Sequence, residues 1–184
     1  MKTGGCVINA AKYPGHLKLD ILALLGGDDE PRQRLYEWAN PVMDIHWVTD
    51  KIAVSGRQPK SAMQEMQRMG IKSVLNLTIR HDPNWPFQTM EDGLPDDGLP
   101  KPSAWFGKGI GFVLRAQHQG KVLIHCEAGV NRSPSMAYAV LRAMGRSPIE
   151  AADLVLRAVP RANLRYQQDA ESALQDLRLV HDTV

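Results

Sequence analysis

Cys126 and Arg132 stand six residues apart in the stretch His125-Cys126-Glu127-Ala128-Gly129-Val130-Asn131-Arg132-Ser133, which follows the apolar run Val122-Leu123-Ile124. A thiol, a short loop with glycine at its centre, a guanidinium and a hydroxyl are the parts needed to seat a phosphate dianion and attack it with sulfur. The apolar run reads as a buried strand that ends at the cysteine. Arg132 and Ser133 then open a helix, and Pro134 suits its first turn because its φ is fixed and it has no N–H to satisfy. A helix N-terminus carries unpaired N–H donors and a partial positive charge, so it receives anions readily. Gly129 lets the loop turn so that successive N–H groups between Glu127 and Arg132 face inward as an anion nest. The same field favours the thiolate of Cys126, which is the nucleophilic form. Arg132 can offer two parallel N–H bonds to two phosphoryl oxygens, which a lysine cannot. Ser133 sits where its hydroxyl can hydrogen-bond the sulfur or support its departure.

This segment matches H-C-x-x-G-x-x-R-S and so resembles the signature loop of the cysteine-dependent protein tyrosine and dual-specificity phosphatases. The resemblance implies that Cys126 is the nucleophile and Arg132 the phosphate-binding arginine. The loop residues Glu127, Ala128, Gly129, Val130 and Asn131 would surround the phosphoryl oxygens, Ser133 would assist the sulfur, and His125 would orient the loop. No metal or other cofactor is expected, since Arg132 and the backbone supply the positive field. The resemblance also implies a general acid, an aspartate on a mobile loop ahead of the helix that enters the signature strand. The chain offers Asp92, Asp96 and Asp97 in a stretch that contains Asp-Gly-Leu-Pro twice, so spacing alone does not choose. Asp96-Asp97-Gly98-Leu99-Pro100 resembles the D-D-G-x-P loop of the phosphatases of regenerating liver, which makes Asp97 the expected acid with Asp96 next. Both aspartates also suit ordinary Asx turns.

Weaker candidates lie elsewhere. Arg161-Ala162-Asn163-Leu164-Arg165-Tyr166 resembles the P-N-x-x-F segment of dual-specificity phosphatases, with Ala162 for proline and Tyr166 for phenylalanine. On that resemblance Asn163 would brace the signature loop. Arg57 and Arg80 are positioned to reach a phosphate or to remain solvated. Trp85, Phe87 and Trp105 are expected to pack in the core, as is the helical methionine series Met63, Met66 and Met69.

The elements that must hold these residues follow from local pattern. Residues 45–48 and 52–55 read as a hairpin around Thr49-Asp50-Lys51. Ser61 is expected to cap a helix through Met69 that Gly70 stops, and residues 71–79 form a strand rich in branched side chains. A long loop over 80–102 follows, and loops of that length inside a compact domain are usually functional. Ser103 then caps a helix to about His118. After the strand at 121–125, helices are expected over 133–144, 148–159 and about 164–179. Ser147-Pro148-Ile149-Glu150 is a capping-box pattern with proline at the first helical position.

Strands alternating with helices predict an α/β fold with a mostly parallel central sheet flanked by helices. The resemblance makes this a single dual-specificity-phosphatase-like domain over 45–184, preceded by an N-terminal extension over 1–44. Such sheets bind ligands beyond the carboxyl ends of their strands, where the signature loop falls. Within the extension, residues 17–25 are apolar up to Gly26-Gly27, and 31–38 look helical.

At 184 residues and 43% hydrophobic, the chain can bury one sizeable core. Its net charge of +2 argues against a nucleic-acid track or an anionic membrane surface. Two distant cysteines do not make a disulfide framework, so Cys6 is expected to be a bystander and the reactive thiol to work in the reducing cytoplasm. No apolar run approaches membrane-spanning length. The expected substrate is a phosphorylated protein or peptide carrying phosphotyrosine, phosphoserine or phosphothreonine, because a small loop in a compact chain makes a shallow site. Glu127, Val130 and Asn131 depart from the lysine-containing loop of phosphoinositide 3-phosphatases. Asn131-Arg132 shares a likeness with RNA 5′-triphosphatases, which makes that activity the alternative. A phospho-residue binding module would be expected to lack the cysteine or the arginine.

Overall fold

The strand expected at Lys121–His125 is the middle strand of a five-stranded sheet in the computed structural model, which describes residues 44–181 and side chains up to residue 177. The expectations for residues 17–25, 31–38 and Cys6 lie outside the described residues. The elements run β1 (Ile45–Trp47), β2 (Ile52–Ser55), α1 (Met63–Arg68), β3 (Ile71–Asn76), β4 (Gln88–Glu91), α2 (Ser103–Ala116), β5 (Lys121–His125), α3 (Arg132–Ala143), α4 (Pro148–Ala158) and α5 (Gln167–His181). The sheet order is β1-β2-β5-β3-β4. β1 pairs antiparallel with β2, and the other neighbours are parallel.

β2, β3 and β5 are buried over nearly all their length, which is why they read as apolar runs rather than alternating strands. Their side chains join Phe106, Ile110 and Val113 of α2, Met136 to Leu141 of α3, and Ala170, Ala173 and Leu174 of α5 in one core. Both α2 and α3 pack against α5. This mixed, mostly parallel sheet flanked by helices is the α/β fold the element order predicts. Among the described residues no helix is long and apolar enough to cross a membrane.

Four local expectations change. β3 stops at Asn76, not at residue 79, because the Asn76 side chain takes over the backbone beyond it. Its Oδ1 accepts from Thr78 N at 2.7 Å and its Nδ2 donates to Arg80 O at 2.8 Å, an Asx turn that ends strand pairing. The loop expected over 80–102 contains β4, a short, mostly exposed edge strand whose one apolar residue, Met90, makes no strand pattern. Neither Ser61 nor Ser103 caps a helix. α1 is led by a 3₁₀ turn at Lys60–Ala62, while Ser103 Oγ donates to Asp176 on α5 at 2.6 Å. Finally, α5 begins at Gln167 rather than near 164, because the preceding N–H groups serve other elements: Asn163 N donates to Val130 O at 2.8 Å and Tyr166 N to Ser135 Oγ at 3.2 Å. The capping box at Ser147 and Glu150 forms with both of its bonds.

Candidate active site

β5 delivers Cys126 to the carboxyl edge of the sheet, and α3 begins six residues later at Arg132. The intervening loop is pinned from both sides through its carbonyls. Glu127 O accepts from Arg57 N at 3.0 Å, and Val130 O from Asn163 N at 2.8 Å. A trans peptide is planar with its N–H opposed to its C=O. The N–H groups of Ala128 and Asn131 therefore point the other way, as an anion nest requires. Gly129 is needed twice over. Its φ of +70° belongs to the left-handed region, and a Cβ there would lie 2.6 Å from Gly56 N.

Cys126 is fully buried. Ser133 Oγ lies 3.2 Å from its Sγ and 3.1 Å from Ser55 O. One hydroxyl hydrogen serves either acceptor, and a charged thiolate is the stronger one. Arg132 is 5% exposed, and its Nη1 donates to Leu77 O at 2.7 Å and to Leu94 O at 2.6 Å. Those two bonds fix the guanidinium plane and clamp the segment around Leu94 to the end of β3. The Nε is buried and makes no hydrogen bond, and the acidic group facing it is the Asp96 carboxylate.

The acidic loop separates its three aspartates. Asp92 turns towards α2: its carbonyl accepts from Trp105 Nε1 at 2.7 Å, and Oδ2 lies 3.9 Å from Lys108. Asp97, the expected proton donor, pairs with Lys101 at 2.6 Å and accepts from Leu99 N at 3.1 Å. The bond from Lys101, and then that from Leu99, hold the Asp97 carboxyl below the usual aspartate range. Asp96 is the one beside Arg132. Its Oδ2 is 3.5 Å from Arg132 Nε and 3.2 Å from Asn131 Nδ2, and its Oδ1 accepts from the Tyr166 hydroxyl at 2.6 Å. Cys126, Ser133, Arg132 and Asp96 thus converge at the start of α3, and Asp92 and Asp97 do not join them.

Of the weaker candidates, Asn163 does brace the signature loop, through its backbone N–H on Val130. Arg57 Nη2 donates to His81 O at 3.1 Å, tying the loop after β2 to the loop after β3. The Arg80 carbonyl accepts from Asn76 and Thr78 within the turn. Trp85, Phe87 and Trp105 are buried, with Trp85 edge-on to Phe87 at 6.0 Å. Met66 is fully buried, while Met63 and Met69 are half-buried. The sequence pattern does not single out Asp82. Its carboxylate, 3% exposed, sits 2.9 Å from Nε2 of the fully buried His125. Nothing in His81-Asp82-Pro83 signals that partner, and the carbonyls of Ser55, Leu77 and Leu94 have no residue-type signature at all.

Residues 55–167, more than half of the chain, match the family described as Dual specificity phosphatase, catalytic domain. The chain belongs to that family. Human Dual specificity protein phosphatase 2 is 32% identical over 126 residues, which are 67% of this chain and 39% of that protein. Its mouse counterpart is 27% identical over 117 residues, 62% of this chain and 36% of that protein. This dual-specificity phosphatase domain therefore spans less than two fifths of the length of those relatives. Among solved structures, a mouse putative dual specificity phosphatase complexed with zinc tungstate superposes with a TM-score of 0.68 at 20% identity, covering 76% of this chain and 92% of that one. PTPMT1 in complex with PI(5)P superposes with a TM-score of 0.65 at 16% identity, covering 74% and 98%. At these identities the superpositions show a shared fold. Family membership supports phosphatase activity for the domain.

Proposed function

We propose that this dual-specificity phosphatase domain hydrolyses phosphotyrosine and phosphoserine or phosphothreonine monoesters of proteins through a cysteinyl-phosphate intermediate. The observation that carries the reading is the convergence of the Cys126 sulfur, the Ser133 hydroxyl, the Arg132 guanidinium and the Asp96 carboxyl at one helix N-terminus. The thiolate attacks phosphorus and forms the S–P bond as the ester P–O bond breaks. Backbone N–H groups of residues 127–132 and Arg132 hold the phosphoryl oxygens while charge shifts between attacking and leaving atoms. Asp96, rather than its neighbour, gives its proton to the departing oxygen. Asp97 is disfavoured because its salt bridge to Lys101 turns it away from Arg132. In the second step Asp96 takes a proton from water, which attacks phosphorus. The S–P bond breaks, inorganic phosphate leaves, and Ser133 donates to the returning thiolate.

The reading takes residues 45–184 as the catalytic domain and 1–44 as an extension, and it places the enzyme in the cytoplasm, where a free thiol stays reduced. Turnover of p-nitrophenyl phosphate, blocked by vanadate and lost in Cys126→Ser, tests the chemistry. Parallel rates on phosphopeptides, 5′-triphosphate RNA and phosphoinositides test the substrate class. Faster release from RNA or from the lipid would overturn the protein-substrate assignment, and normal turnover by Cys126→Ser would overturn the nucleophile.

A further inference from the structure

Tyr166 stands where the resembling segment has phenylalanine, and the oxygen that distinguishes the two side chains is used. The ring is 2% exposed and belongs to the core. The hydroxyl donates to Asp96 Oδ1 at 2.6 Å and accepts from Gly98 N at 3.3 Å. The backbone N–H of the same residue reaches Ser135 Oγ on α3 at 3.2 Å, two residues beyond Ser133. Lys101 Nζ lies 4.9 Å from the ring centroid and bonds Asp97. One rigid side chain therefore ties the acidic loop to the helix that opens at Arg132.

We propose that Tyr166 is a positioning residue for proton transfer, whose hydroxyl occupies Asp96 Oδ1 and so reserves Oδ2 as the oxygen that carries the proton to the leaving group. The inference rests on the reading of Asp96 as the general acid. A carboxyl free to rotate would present either oxygen. Here Oδ1 holds the short bond from Tyr166 at 2.6 Å, while Oδ2 accepts the longer bond from Asn131 at 3.2 Å and faces Arg132 at 3.5 Å, the side from which phosphate is held. The charged groups around Asp96 are Arg132 of α3, the adjacent Asp97 with its partner Lys101, and Arg165, whose guanidinium packs against Gly98. Burial, and then the bond to Asp96, push the Tyr166 phenol up to about 12, so it stays a donor to Asp96 throughout the neutral range. A phenylalanine would keep the packing and release the carboxyl.

Proton donation matters most for a poor leaving group, which gives a test that simple loosening of the fold would not pass. The full chain and its Tyr166→Phe, Asp96→Asn and doubly substituted variants are compared on phenyl phosphate and p-nitrophenyl phosphate, with melting temperature recorded for each. Tyr166→Phe is expected to lower kcat on phenyl phosphate about tenfold, the scale of one hydrogen bond to a charged group. Its kcat on p-nitrophenyl phosphate should change less than about twofold, with KM unchanged on both. Asp96→Asn should steepen the leaving-group dependence further, and adding Tyr166→Phe to it should do nothing more. Equal loss on the two esters, or none, in Tyr166→Phe would overturn the proposal, and so would additive losses in the double variant. If Asp96→Asn itself leaves the leaving-group dependence unchanged, the acid assignment beneath the proposal fails instead.

Discussion

The loop from Cys126 to Arg132 and the acidic loop from Asp92 to Pro100 meet at one guanidinium, but they are held in different ways. The first is short, begins at a buried strand and ends in a helix, and its working groups are largely its own peptide units and its central glycine. The second has almost no regular structure of its own. Its conformation comes from partners outside it: Trp105 donates to Asp92, Lys101 to Asp97, and Tyr166 donates to Asp96 and accepts from Gly98 N. The repeated Asp-Gly-Leu-Pro makes the lesson concrete. In the first copy, Gly93 is pressed against the backbone at Thr78, where a Cβ would fall 1.7 Å from the carbonyl oxygen, and its aspartate turns to α2. In the second copy, Gly98 sits at φ +76° beside Arg165, and its aspartate turns to Lys101. The same four residues take two environments because their partners differ.

The contrast can be broken most severely at Cys126, the proposed nucleophile. Cys126→Ser should lower turnover of p-nitrophenyl phosphate by at least about 10³-fold, since a hydroxyl at neutral pH has no thiolate to offer, while phosphate still binds in isothermal titration. The next largest effect separates the two neighbouring carboxyls. Asp96→Asn should cost about 10²-fold in kcat on a poor leaving group, and Asp97→Asn less than about threefold by the same assay. Equal losses would erase the distinction drawn between them.

Stability measurements sharpen the comparison further. Gly129→Ala adds a Cβ to a left-handed residue that already touches Gly56, whereas Gly145, at φ +91°, has nothing within 4 Å of its virtual Cβ. Denaturant titration should show Gly145→Ala costing about 1 kcal/mol and Gly129→Ala about 3 kcal/mol or more. Similar costs would mean that the signature loop tolerates a shift of its floor. The smallest effect tests a purely local device. The Ser147 backbone N–H, and then its hydroxyl, hold Glu150 below the usual glutamate range. A depressed folded-state value contributes stability above the unfolded value and loses it as pH falls through the folded one. The melting temperature of Glu150→Gln should therefore sit slightly below that of the parent at pH 7 and converge with it in acid.

Legibility in the sequence follows the same division. β2, β3 and β5 announce themselves because strands buried over most of their length carry apolar runs such as Val74-Leu75 and Val122-Leu123-Ile124, and the capping box at Ser147 is complete within four residues. β4 is silent because a short, mostly exposed edge strand with one apolar residue, Met90, makes no periodic pattern. The end of β3 depends on what one asparagine side chain does with the backbone after it. The late start of α5 depends on Val130 and Ser135, far away in sequence, accepting the N–H groups that a helix would otherwise use.

At the site, the chain by itself determined that a thiol, a glycine-centred turn and an arginine share one strand-to-helix junction, because each requirement is met within nine consecutive residues. Which of two adjacent carboxyls faces that arginine was decided only in three dimensions. Neighbouring residues in an irregular loop point wherever their partners draw them. The partner that draws Asp96, the hydroxyl of Tyr166, lies 70 residues further along the chain.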